Sequence, residues 1–77
     1  MSEKHYIVEE SSKDRSHIQY YLQGHSVLTS NAKSVSKYYT YTKIRGANML
    51  ASKLARNDTK GYKYQVVACE DIGIEVR

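Results

Sequence analysis

The stretch that decides the fold is KIRGANMLASKLARNDTKGYKYQVVAC, residues 43–69. Its first half repeats apolar residues every three to four positions, which predicts an amphipathic helix over 43–56 with Thr42 as the N-cap. Its second half alternates between two faces, which predicts a strand over 62–69. We expect the apolar face of the helix to pack on this strand. That face comprises Ile44, Ala47, Leu50, Ala51, Leu54 and Ala55.

Two further strands are predicted before this stretch. Residues 5–9 are rich in β-formers, and 17–23 alternate with Ile18, Tyr20 and Leu22 on one face. The polar turn between the two segments predicts an antiparallel hairpin. Because neighbouring strand residues point to opposite faces, the adjacent Glu9 and Glu10 cannot act as a catalytic pair.

The segments on either side of these elements are harder to assign. Residues 24–30 are interpreted as a connector, and 31–38 as a short helix with Ala32, Val35 and Tyr39 facing inward. The β-forming residues at 38–42 leave a strand open as the alternative there. After a bend near Glu70 and Asp71, residues 72–76 alternate and predict a short final strand.

This order of elements predicts an α+β fold in a single domain spanning 1–77. A small antiparallel sheet would carry one main amphipathic helix on a face. The alternative is a winged helix-turn-helix, in which 31–38 and 43–56 form the two helices and 62–76 forms the wing.

Gly46, near the start of the predicted helix, has two interpretations. A glycine there lowers helix stability by up to about 1 kcal/mol relative to alanine. It either permits close approach of a partner or of the sheet, or it is merely tolerated in the first turn. We favour the second interpretation from the sequence.

Charge is distributed unevenly along the chain. The net charge is +4, yet residues 15–57 contain seven Lys or Arg and no Asp or Glu. A surface that only needs solvation usually mixes both signs. The acid-free centre therefore points to an anionic partner, either nucleic acid or an acidic protein surface, with chance clustering as the alternative.

Tyrosine supplies all the aromatic side chains, since the chain has eight Tyr and no Phe or Trp. Lysines and arginines neutralise phosphates, and tyrosines stack on bases. This combination predicts a non-enzymatic, nucleic-acid-binding protein; the alternative is a modulator or inhibitor that binds an acidic surface of a host or defence protein. The predicted binding residues are Lys33, Lys37, Tyr38, Tyr39, Tyr41, Lys43, Arg45, Met49, Lys53 and Arg56.

Catalytic and cofactor motifs are absent from the sequence. It contains no phosphate-binding glycine loop, nucleophile elbow, HExxH or CxxC. His5, His17 and His25 lack helical ligand spacing, so a metal site that gathers histidines with Cys69 is the lesser interpretation. We expect no enzyme, no metal and no cofactor, and we expect Cys69 to be a packing residue with a raised thiol pKa.

The remaining composition favours a cytoplasmic protein. No apolar run approaches 18 residues, and no hydrophobic run follows the N-terminus, which predicts neither a membrane span nor a signal peptide. A single cysteine is typical of a reducing compartment.

Three runs carry a resemblance to a known class of proteins: 28–33 with Tyr38 and Tyr39, then 43–55, then 62–67. In element order and apolar pattern, residues 28–67 resemble small host-modulating accessory proteins of tailed bacteriophages. Those proteins often place an aromatic segment before one amphipathic helix and a closing strand. The resemblance implies a β-β-α-β chain that modulates a host enzyme, nucleoid or defence system, and it transfers no functional residue.

The end of the chain predicts self-association. Ile72, Ile74 and Val76 form an alternating apolar stripe where chain termini are usually polar. With no Asn-Gly or Asp-Gly turn before them, we expect residues 70–77 to pair with a second copy in a homodimer.

Overall fold

The computed structural model describes residues 4–24 and 26–77, and it confirms an α+β fold. One α-helix packs against one face of a four-stranded antiparallel sheet. A small two-stranded sheet contributes to the hydrophobic cluster on the other face. The elements are β1 (Tyr6–Ser11), β2 (Ile18–Tyr21), β3 (Val27–Thr29), β4 (Ser34–Val35), a 3₁₀ turn (Lys37–Tyr39), α1 (Ile44–Asn57), β5 (Lys63–Ala68), a second 3₁₀ turn (Cys69–Asp71) and β6 (Glu75–Val76).

The main sheet has the strand order β3-β2-β1-β5. The predicted hairpin is confirmed: β1 pairs antiparallel with β2, and Val8 lies opposite Tyr21. On its other side β1 pairs antiparallel with β5, where Val8 lies opposite Val66. Since β1 lies inside the sheet and is covered on both faces, every residue from Ile7 to Ser11 is buried.

The helix covers one face of the sheet, as predicted. Ala47 and Leu50 are buried against Val8, with Leu54, Tyr64 and Val66 half-buried around them. The predicted inner face is wrong at its two ends, because Ile44 is 51% exposed and Ala55 is also exposed. Thr42 is not the N-cap: Lys43 holds that position, and no described side chain caps the helix there.

A second cluster fills the opposite face of the sheet. Ile7, Tyr20 and Leu22 from the main sheet pack against buried residues that come later in the chain, namely Val35, Cys69 and Ile74. Cys69 is fully buried, and burial, aided by the charge of Glu70, raises the pKa of its thiol to about 11. The packing role predicted for this cysteine is confirmed.

The prediction of a helix over 31–38 is wrong. This segment forms the short strand β4 and then the 3₁₀ turn, and the connector predicted at 24–30 contains β3. These residues have only a weak preference for helix, and strand pairing outweighs it: β3 pairs with β2, and β4 pairs with the distant β6. Without a first helix, the winged helix-turn-helix alternative is also excluded.

The terminal segment folds back on its own domain instead of continuing as an edge. Gly73, with a φ of 78°, redirects the chain after the 3₁₀ turn, and β6 then pairs parallel with β4. Ile74 becomes buried, and Ile72 and Val76 pack on the same cluster. The bend predicted near Glu70 and Asp71 is confirmed, but the apolar stripe that motivated a dimer through residues 70–77 is covered within one chain.

Candidate functional site

Six of the ten predicted binding residues line one groove at the start of α1. This groove has a volume of about 520 Å³, and we call it the basic groove. Its walls come from the 3₁₀ turn, from the extended segment that follows, and from the first turns of the helix. The predicted residues along it are Lys37, Tyr38, Tyr41, Lys43, Arg45 and Met49.

The 3₁₀ turn that presents Tyr38 is fixed by short-range hydrogen bonds. The Ser36 hydroxyl accepts from the Tyr38 amide, and the Thr40 hydroxyl donates to the Lys37 carbonyl at 2.9 Å. The backbone N–H of Gln23 donates to the Tyr39 carbonyl at 2.8 Å, which ties the turn to the segment just after β2. These bonds hold the backbone while the Tyr38 side chain stays 81% exposed.

Gly46 brings the helix close to Tyr41 and so shapes the floor of the basic groove. A Cβ at position 46 would lie 2.8 Å from Cδ1 of the Tyr41 ring, closer than side chains pack. Tyr41 in turn exchanges two backbone hydrogen bonds with Tyr6. The interpretation of Gly46 as merely tolerated therefore missed a packing contact: the glycine leaves room for the Tyr41 ring, which an added Cβ would have to displace.

A second groove continues along the outer face of α1. It shares Arg45 and Met49 with the basic groove and extends to Ser52 and Arg56. Ile44 and Met49 are large apolar side chains exposed here, at 51% and 69%. Together the two grooves form one surface, which we call the binding surface.

Three predicted residues lie outside this surface. Lys33 is exposed, but its carbonyl accepts from the Glu75 amide, so it belongs to the small sheet. Tyr39 is 48% exposed and lines neither groove. Lys53 is exposed on α1 and also lines neither groove.

The cations of the binding surface are not neutralised by carboxylates of the described chain. Ion pairs between described residues involve Lys4, His5, Arg15 and His17, and none involves a basic residue from Lys33 to Arg56. The first turn of α1 carries no acid, and Lys43 and Arg45 stand where the helix dipole is positive. No carboxylate of residues 4–24 or 26–77 therefore compensates the positive potential at this end of the helix through an ion pair.

A contrasting polar cluster lies near the other end of α1, and sequence reasoning missed it. Glu10 is 4% exposed, and its carboxylate accepts from His17 at 2.7 Å, Gln19 at 2.9 Å and Tyr21 at 2.9 Å. We call these four residues the glutamate network. The register of the predicted hairpin, which brings His17, Gln19 and Tyr21 alongside Glu10, was the pattern that could have revealed it.

Asp58 joins this cluster from the end of the helix. Its carboxylate accepts from the Gly61 and Tyr62 amides and from the Tyr64 hydroxyl at 3.0 Å. The His17 ring stacks on Tyr62 with centroids 4.6 Å apart. A cleft of about 440 Å³ opens here, but its carboxylates are already hydrogen-bonded by neighbouring residues. These hydrogen bonds tie the end of α1 to β2 and β5.

The pKa values in the cluster follow from these contacts. Burial raises the pKa of the Glu10 carboxyl, but the hydrogen bonds from His17 and Tyr21 outweigh burial and leave it below its usual 4.5. Burial raises the pKa of Tyr21, and hydrogen bonding to Glu10 raises it further. The network is therefore a carboxylate held ionised by its donors.

The lesser interpretation of the histidines as metal ligands gains no support. His5 bonds Glu70 at 2.7 Å and His17 bonds Glu10, while His25 lies outside the described residues. Within residues 4–24 and 26–77, no three His, Cys, Asp or Glu side chains gather as metal ligands would. Glu9 and Glu10 point to opposite faces, as predicted: Glu9 bonds Gln65 and Arg15.

Comparison with known proteins finds no matching family model, no matching curated protein and no matching solved structure. The resemblance to phage accessory proteins stays a prediction. None of the helices in the part of the chain that the structure describes is long and apolar enough to cross a bilayer.

Proposed function

We propose that this chain is a non-enzymatic protein that binds single-stranded nucleic acid along its binding surface. The observation that carries the proposal is a groove that holds three cations, without a carboxylate partner among the described residues, together with one exposed aromatic side chain. Lys37, Lys43 and Arg45 line the same groove as Tyr38, and Tyr38 is 81% exposed.

The cations supply the affinity in this proposal. Each Lys or Arg that contacts a phosphate releases condensed counterions, so binding weakens as salt rises. Cations already paired with carboxylates would have to break those pairs first. The basic residues of the binding surface form no ion pair with described residues, and the positive end of α1 adds to their potential.

The aromatic ring favours a single strand over a duplex. Every base has a face that can stack on an exposed tyrosine, but only an unpaired base can leave its neighbours to do so. The groove beside Tyr38 also contains Tyr41 and Met49, whose apolar atoms suit a base better than a phosphate. A protein that contacted only duplex phosphates would not need them.

We also propose that the protein acts in the cytoplasm. Cys69 is a free, buried thiol, which agrees with a reducing cytoplasm. A small cytoplasmic protein that coats single strands would suit the host-modulating role implied by the resemblance to phage accessory proteins.

Fluorescence anisotropy with labelled 20-mers of dT, of rU and of a matched duplex tests this function. We expect Tyr38→Ser to weaken single-strand binding by about 5- to 150-fold, since stacking contributes about 1–3 kcal/mol per base. The matched control is Tyr39→Ser, which removes the neighbouring exposed tyrosine outside both grooves. Equal losses in the two variants, or tighter binding of the duplex, would contradict the proposal.

A second candidate is an acidic protein surface as the partner. It is favoured by the exposure of Ile44 and Met49, because apolar side chains framed by arginines are typical of protein interfaces. Met49→Ser distinguishes the two functions. It should leave the salt dependence of nucleic-acid binding unchanged, whereas it should remove a central contact from a protein interface.

A further inference from the structure

A further cavity with a cationic lining lies at the opposite end of β1 from the basic groove. It has a volume of about 370 Å³ and lies between the turn that joins β1 to β2 and the start of β5. At the other end of β1, Tyr6 is bonded to Tyr41 of the basic groove, so the length of the strand separates the two sites. We call the cavity the turn pocket, and its lining residues are Ser11, Ser12, Lys13, Arg15, Gly61 and Lys63.

Three cationic side chains line the turn pocket, and no carboxylate of the described residues does. Lys13 and Lys63 form no ion pair with any described residue. Arg15 contacts Glu9 through Nη1 at 3.4 Å, and its side chain is more than half exposed, so other N–H donors of its guanidinium stay available. The pocket therefore presents cationic donors that a ligand can use.

The two carboxylates nearest to the turn pocket along the chain have donors of their own. Glu9 accepts from Gln65 Nε2 at 2.9 Å. Asp14 accepts from the hydroxyls of Ser12 and Ser16, each at 2.8 Å, and from the Ser16 backbone N–H. Because neither carboxylate lines the pocket, both lower its positive potential without occupying a ligand position.

Ser11 distinguishes this pocket from an ordinary basic surface. The residue is 2% exposed, yet its hydroxyl makes no hydrogen bond with the described residues. Every fully enclosed polar side-chain atom in residues 4–24 and 26–77 has a partner, so this hydroxyl is not fully enclosed and opens onto the pocket that Ser11 lines. A nearly buried hydroxyl without a partner is destabilising, and a ligand with an acceptor oxygen would satisfy it.

The register of the sheet places two of the cations beside this hydroxyl. Lys63 is the cross-strand partner of Ser11, so the two side chains leave the same face of the sheet. This face is the one opposite α1, because Val8 packs on the helix and Ser11 comes three residues later in the strand. Arg15 reaches the same face, since it contacts Glu9, which precedes Ser11 by two residues.

We propose that the turn pocket binds the phosphate group of a small phosphomonoester. Such a group carries about −1.5 to −2 charges at pH 7 and has three strong acceptor oxygens. Lys13, Arg15 and Lys63 supply charge-assisted donors to these oxygens, and the Ser11 hydroxyl donates to one of them. Three cations match a dianion better than the single charge of a phosphodiester, so this site is independent of the single-strand binding proposed for the binding surface.

Amide chemical shifts measured by NMR at constant ionic strength test the ligand class. The probes are methyl phosphate, inorganic phosphate and dimethyl phosphate, a diester with one charge. We expect saturable shifts at Ser11, Ser12 and Lys63 with methyl phosphate and inorganic phosphate. Dimethyl phosphate should bind at least about tenfold more weakly, because it lacks one charged oxygen that accepts hydrogen bonds.

Three results of these titrations would overturn the proposal. The first is the absence of saturable shifts around the turn pocket. The second is equal affinity for methyl phosphate and dimethyl phosphate, which would show a general attraction of anions. The third is binding of inorganic phosphate without methyl phosphate, which would assign the pocket to the free ion and exclude an ester.

Substitutions of Ser11 and Lys63 test which groups hold the ligand. Ser11→Ala and Lys63→Gln should each weaken methyl phosphate binding at least about tenfold, since each removes a hydrogen bond to a charged group. The matched control is Lys60→Gln, which should stay close to the wild type. Lys60 carries the same charge nearby, but its Nζ lies 5.7 Å from the centroid of the Tyr62 ring and it lines the cleft beside Glu10 instead of the turn pocket.

The stability of Ser11→Ala separates a ligand-binding hydroxyl from a structural one. Because the hydroxyl has no partner in the described chain, its removal should leave the urea midpoint unchanged or raise it. A clear fall in the midpoint would show that the fold itself uses the hydroxyl and would contradict the proposal. Wild-type affinity for methyl phosphate in Ser11→Ala would also contradict it, as would equal losses in Lys60→Gln and Lys63→Gln.

Discussion

The two ends of α1 use the same residue types to opposite effect. At its C-terminal end, the carboxylates of Glu10 and Asp58 are hydrogen-bonded by tyrosines and other donors of the same chain. At its N-terminal end, Lys43, Arg45 and Tyr38 surround a groove with no carboxylate partner among the described residues. Polar groups that satisfy each other stabilise the fold, and polar groups left unsatisfied at the surface are available to a partner.

The largest expected effect follows from removing the carboxylate that organises the C-terminal end. Breaking a buried ion pair costs about 3–5 kcal/mol, and because water can still reach the half-exposed His17, we expect Glu10→Ala to cost about 2–3 kcal/mol. Urea unfolding followed by circular dichroism measures the change. Lys43→Ala at the other end should stay within about 0.5 kcal/mol. Similar losses in both variants would remove the distinction between the two ends.

Acidification should weaken the same end. The pKa of Glu10 is lower in the folded chain than its usual 4.5, so its contribution to stability is complete above about pH 4.5 and is lost as the pH falls through the folded value. We expect the free energy of unfolding to fall less steeply between pH 5 and pH 3 in Glu10→Gln than in the wild type.

The free energy of unfolding of Glu10→Gln should still fall with pH because other carboxyls titrate in the same range. The carboxyls of Asp14, Asp58 and Glu70 also have lowered pKa values and lose stability in the same direction. Asp14 and Glu70 lie outside the glutamate network and keep their contacts in Glu10→Gln, so the difference between the two curves reports Glu10 together with its coupling to Asp58 through Tyr64. Parallel curves for the wild type and the variant would show that the carboxyl is not held ionised by its donors.

A smaller effect is expected from Gly46→Ala at the N-terminal end. The added Cβ meets the Tyr41 ring, and such overpacking costs about 1–3 kcal/mol, while alanine returns up to about 1 kcal/mol of helix propensity. We expect a net loss of about 1 kcal/mol in urea unfolding. Ser52→Ala, on the exposed face of the same helix, should be neutral or slightly stabilising. Equal stability of the two variants would mean that Tyr41 can move aside.

The elements whose apolar residues repeat regularly within one segment could be predicted from the sequence. The hairpin, the amphipathic helix and the strand after it follow from alternation and helical spacing within single segments. The strands β3 and β4 could not be predicted this way. They are two or three residues long, and β4 exists because the end of the chain returns to pair with Ser34 and Val35. Nothing within residues 31–38 encodes that return.

The candidate site could likewise be predicted only in part, because the sequence does not show which residues come together in space. The acid-free centre marked the cations, and six of the ten predicted residues line the basic groove. Residues 15–57 hold both the groove and cations outside it, so sequence alone could not exclude Lys33 or Lys53. The role of Gly46 depends on Tyr41, five residues earlier, and becomes visible only when the aromatic ring lies over the helix.

The smallest expected effect is a difference in salt dependence between substitutions of two cations on α1, Arg45 and Lys53. If single-stranded nucleic acid follows the grooves, Arg45→Gln removes one phosphate contact and should reduce the slope of log K against log salt by about 0.7. Lys53→Gln removes the same charge from a side chain that lines neither groove, and it should leave the slope unchanged. Anisotropy titrations with a dT 20-mer at several salt concentrations measure both slopes. Equal reductions would mean that the whole helix acts as a diffuse positive surface, and the distinction between a groove and a general basic face would fail.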